Sequence, residues 1–236
     1  MLKTPVVHVK REALQIICDS QRVQFYPSPI SSAHSSFDDI SKALTSRGLR
    51  RASLGELIYL MHGAYSSPVK GKAAETSQLP NVRQAFDRGS AIEEGSFHGP
   101  VVSFSGVVRT SYGFLTFDAT NAQEDLDCDK LAVDFFRERK FVRELVPYAR
   151  NRETAEETTL KVMRSLVGAG SLERLMDLKV FDNRFATFGL DSTGGTGNIP
   201  SYVPIYAHIS INDHVPLICF RTKKETHGVS FGIYRD

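Results

Sequence analysis

Three clusters carry residue types that could do chemistry. The first is Gly189-Leu190-Asp191-Ser192-Thr193-Gly194-Gly195-Thr196-Gly197, with four glycines. A phosphate loop of the Gly-x4-Gly-Lys-Ser/Thr type needs a lysine to reach the phosphate, and none follows here. A dinucleotide loop opens a helix, whereas Pro200 and strand-like residues follow this run. It reads as a plain loop. The second cluster is His208, Asp213 and His214, whose spacing fits no zinc signature. Asn212-Asp213 offers oxygen ligands without the Glu-Pro-Asn tripeptide that would complete a calcium site. No metal and no cofactor are expected. The third is Cys219, which with His208 or His214 could form a nucleophile pair. Its setting, Pro216-Leu217-Ile218-Cys219-Phe220, is that of a core strand, so a buried thiol is the plainer reading. No Gly-x-Ser-x-Gly elbow and no His-Glu-x-x-His helix occurs. Asp38-Asp39, Glu93-Glu94 and Glu156-Glu157 are neighbours in sequence and so do not share a helix face. Arg47, Arg50 and Arg51 could touch phosphates but read as a solvated turn. No catalytic residue is assigned. Two alternatives stay open: a small-molecule enzyme using Cys219, and a nucleic-acid accessory protein using the three arginines.

Composition bounds these readings. The chain has 236 residues, 41% hydrophobic and 24% charged, enough for a globular core. Its net charge of +2 does not mark a dedicated nucleic-acid binder. Its three cysteines, Cys18, Cys128 and Cys219, are odd in number and far apart, which suits free thiols in a reducing compartment. No apolar run approaches the ~18–20 residues that span a bilayer, and the start lacks the apolar core of a signal peptide. A soluble protein with no membrane insertion is expected, cytoplasmic or virion-associated.

The elements that must position these residues follow from pattern. Val9 to Ser20 reads as a helix through Ala13, Leu14, Ile16 and Ile17. Ser36-Phe37-Asp38-Asp39 opens a second helix, with Gly48 as its left-handed cap. Ser53-Leu54-Gly55-Glu56 is a capping box for a third, with Leu57, Ile58, Leu60 and Met61 buried and Gly63 closing it. Residues 66–80 read as a loop, and Asn81 to Arg88 as a short helix. Strands are expected at 101–104, 107–109 and 112–117, with a bend at Gly106. Helices are expected at Asp129–Leu145, Ala155–Val167 and from Ser171. Strands return at Tyr202–Ile209, Val215–Arg221 and Val229–Tyr234.

Two segments together resemble a known family. Leu44-Thr45-Ser46-Arg47-Gly48-Leu49-Arg50-Arg51-Ala52-Ser53-Leu54-Gly55-Glu56-Leu57 is similar to the early Gly-Leu-Arg-x-Ala-Thr-Leu-x-Glu-Leu segment of C-type-lectin-like domains. Gly228-Val229-Ser230-Phe231-Gly232-Ile233-Tyr234-Arg235-Asp236 resembles their closing Gly-Phe-Arg strand. Within that fold the chain most resembles the variable proteins of diversity-generating retroelements, of archaeal or viral type. Those proteins are mutated toward the C-terminus at adenines of a template repeat. Asn codons then become Ser, Thr, Tyr, His, Asp or Ile, the set in which 191–230 is rich. Unlike the Trp-rich members, this chain has no Trp. Cys219 lacks the partner cysteine of the sulfatase-modifying relatives, which points away from that enzymatic branch.

The resemblance implies an α+β protein, a single C-type-lectin-like domain over 1–236 with mixed helices and antiparallel strands. Insertions are expected near 64–100 and 120–180, and 185–236 is the candidate variable region. The implied function is a ligand-binding protein, not an enzyme, with a diversified C-terminal surface. Its hypervariable, ligand-facing positions are expected at Asp191, Ser192, Ile199, Ser201, Tyr206, His208, Ser210, Ile211, Asn212, His214, His227 and Ser230. Val203, Ile205, Ile209, Val215, Leu217, Phe220 and Phe231 are the expected scaffold. The mixture of aromatic and small polar residues over 199–214 suits a paratope-like surface. The partner is an unknown protein or surface ligand, and nucleic acid is not the expected one.

Overall fold

The structure is a computed structural model. It describes residues 6–9, 13–18, 21–31, 36–66, 69–70, 78–87, 100–121, 141–148, 153–168, 170, 172–173, 186–188, 203–212, 215–225 and 228–235. The architecture is mixed α+β, with helices packed on two mainly antiparallel sheets.

The N-terminal stretch departs from expectation. Strands β1 (Val6–Val9), β2 (Leu14–Cys18) and β3 (Gln21–Phe25) form an antiparallel meander where a helix was read from 9 to 20. Val6, Val7, Val9, Ile16 and Ile17 are β-branched and fit a pleated surface, and that preference outweighs the loose helical stripe. Helix α1 (Phe37–Ser46) begins at Ser36, whose Oγ accepts from Asp39 N at 3.3 Å. It stops at Gly48, where φ is +68°. Strand β4 (Arg50–Arg51) leads into α2 (Leu54–Ser66). The capping box forms as read: Glu56 N donates to Ser53 Oγ at 3.2 Å, and Glu56 Oε2 accepts from Ser53 N at 2.8 Å. Gly63 does not close this helix; it lies buried inside it.

Strand β5 (Val69–Lys70) pairs with β1. Helix α3 (Gln78–Asp87) starts earlier than read, with Pro80 in its first turn, where a missing N–H costs nothing. Strand β6 (Val101–Arg109) pairs with β7 (Gly113–Asp118) and with β10 (Pro204–Asn212), and its register against β10 shifts between Val102 and Gly106, the irregularity expected at Gly106. Strand β8 (Val142–Pro147) lies where the C-terminal part of the 129–145 helix was read; 122–140 lie outside the described residues. Helix α4 (Glu153–Val167) matches its expectation within two residues. The helix expected from Ser171 lies largely outside the described residues.

Short β9 (Ala186–Phe188) flanks β11 (Val215–Thr222), which pairs with β10 (Pro204–Asn212). The final strand is only β12 (Gly232–Ile233), with isolated bridges at Val229 and Ser230 before it.

Two six-stranded sheets result, ordered β4-β12-β3-β2-β1-β5 and β8-β7-β6-β10-β11-β9. Helix α2 packs between them, against β2 on one side and β6 and β10 on the other. Its Leu57, Ile58, Leu60 and Met61 are at most 1% exposed. This core continues into α3, α4 and the odd-numbered residues Ile205, Ala207, Ile209 and Ile211 of β10. A second core lies around α1, where Phe37, Ile40 and Leu44 meet Phe104, Phe117 and Tyr206. Strand β10 therefore has packed residues on both faces.

Candidate functional site

That double cover corrects the expected display face. Tyr206, His208 and Ser230 are fully buried, and Ser210 and Ile211 are at most 5% exposed. Alternation along a strand brings every second residue to solvent only when one face is wet. Tyr206 instead packs among Phe37, Phe104 and Phe117, with ring centroids 4.1 Å from Phe37 and 5.3 Å from Phe117. Ser230 Oγ donates to Val102 O at 2.8 Å, tying the C-terminal segment to β6. Asn212 ends β10, and its side chain lies outside the described residues. So do Asp191, Ser192, Ile199, Ser201, His214 and His227. Among the expected scaffold residues, Ile205, Ile209, Phe220 and Phe231 are buried and Leu217 half-buried, whereas Val203 is exposed.

The register brings one expected pair together. His208 on β10 lies directly opposite Cys219 on β11. Such cross-strand partners stand side by side on one face, with Cβ atoms about 4.5–5.5 Å apart. Burial, and secondarily the Arg221 guanidinium, lowers the His208 pKa to about 3. Burial raises the Cys219 thiol, against a smaller opposing effect of the same arginine. The pair is thus a neutral imidazole beside a protonated thiol. An activated nucleophile needs a thiolate, which an electropositive and exposed setting favours and burial opposes. Among the described residues no three His, Cys, Asp or Glu side chains gather as metal ligands would. No described helix is long and apolar enough to cross a membrane.

A different site is only partly visible in residue patterns. A cleft of about 330 Å³ opens where β3, β12 and β4 meet the end of α1. Arg22 comes from β3, Arg50 and Arg51 from β4, and Arg235 follows β12. Thr120 and Asn121, just after β7, form another wall. Arg50 and Arg51 were singled out in sequence, but Arg22 and Arg235 were not, because only the β12–β3 pairing brings them near.

The two arginines of β4 are held differently. Arg50 makes a two-pronged pair with Glu56, Nη2 to Oε1 at 2.6 Å and Nη1 to Oε2 at 3.1 Å. Arg51 is buried; its Nε and Nη2 donate to Ser41 Oγ at 2.9 and 2.7 Å. Its guanidinium carbon lies 5.5 Å from the Phe104 ring centre, a cation–π contact. Both forks are therefore fixed in place.

One pairing joins segments far apart in sequence. Gly232 lies opposite Arg51, and Ile233 opposite Arg50. A Cβ at Gly232 would sit 2.5 Å from Leu49 Cδ1 and 2.8 Å from Leu44 Cδ2, so a larger residue fits here only if both leucines shift. Against known proteins, no family model, no curated protein and no solved structure matches this chain.

Proposed function

We propose that this protein binds a ligand on a C-type-lectin-like scaffold, of the kind that diversity-generating retroelements vary, and that it is not an enzyme. One observation carries the reading. The two segments that resemble that family, 44–57 and 228–236, are neighbours: β12 pairs with β4 and inserts Gly232 between Leu44 and Leu49. Resemblances that arose by chance would have no reason to interlock. The neutral, buried state of His208 and the raised pKa of Cys219 support binding over nucleophilic catalysis. With Tyr206, His208, Ser210, Ile211 and Ser230 in the core, the ligand-facing set of this proposal reduces to Asp191, Ser192, Ile199, Ser201, Asn212, His214 and His227, whose side chains lie outside the described residues. The ligand is an exposed protein or surface group.

The test is the DNA beside the gene. A near-copy of codons 185–236, differing only at adenines, is expected there, with codons 206, 208, 210, 211 and 230 unchanged. Absence of both the copy and a reverse-transcriptase gene would overturn the reading. A second reading, thiol chemistry at Cys219, draws on the His208–Cys219 register alone.

A further inference from the structure

We draw no further inference here: the strongest candidate, the cross-strand His208–Cys219 pair on β10 and β11, rests on a single cysteine beside a fully buried imidazole, and nothing in the structure shows a ligand that the pair would take.

Discussion

His208 and Cys219 face each other across the β10–β11 ladder, yet the pair is held in its least reactive state. The imidazole stays neutral because burial excludes its charge, and the thiol stays protonated for the same reason. Iodoacetamide should therefore label Cys219 much more slowly in the native protein than in the unfolded chain. Peptide mapping of alkylation against time checks this for Cys219 apart from Cys18 and Cys128. Native labelling as fast as unfolded would restore the thiol-enzyme reading.

The same histidine makes stability depend on pH. Its folded pKa of about 3 lies below the ordinary value of 6.5. Between those values the unfolded chain binds a proton that the native state refuses. The contribution is therefore intact above about pH 6.5 and is lost as pH falls, by at most ~1.4 kcal/mol per pH unit. Urea titrations from pH 7 down to pH 5 should show this slope, and His208→Asn should flatten it. An unchanged slope in the variant would place the proton elsewhere.

Local chemistry was the legible part of the fold. Ser53 and Glu56 announce a capping box, and Gly48 a left-handed stop, because all the partners lie within a few residues. The first strands are illegible locally because Ala13, Leu14, Ile16 and Ile17 satisfy a helical stripe as well as a pleat. The burial of the expected display face has a less local cause. Whether Tyr206 or His208 meets water depends on α1 covering the second face of β10, and nothing within 204–212 encodes that layer. The basic cleft was half legible. Arg50 and Arg51 are adjacent to the caps, but Arg22 and Arg235 join them only through β12–β3 pairing.

Tyr206 separates core from surface directly. It is fully buried against three phenylalanines, so Tyr206→Ala removes a large ring that its surroundings cannot replace. The expected loss is about 3–5 kcal/mol, the range for aromatic truncations in cores. A loss under about 0.5 kcal/mol, typical of exposed sites, would return Tyr206 to a displayed surface. Far-UV circular dichroism suits the measurement, since the chain has no tryptophan.

Gly232 tests the seating of β12 against β4 and α1. Gly232→Ala forces a methyl group against Leu49 and Leu44, and overpacking of this kind costs about 1–3 kcal/mol. Gly48→Ala meets open space, so its cost, about 1 kcal/mol, comes from the left-handed backbone alone. The pair thus separates steric from conformational strain. Leu49→Ala should relieve the part of the first that comes from Leu49 Cδ1, the nearest of the three contacts, and leave the second untouched. In a double-mutant cycle, Gly232→Ala and Leu49→Ala should couple, whereas Gly48→Ala and Leu49→Ala should add. Additivity in the first cycle would mean that β12 does not seat against Leu49. The interlocking of 44–57 with 228–236, and with it the strongest support for the binding scaffold, would then fail.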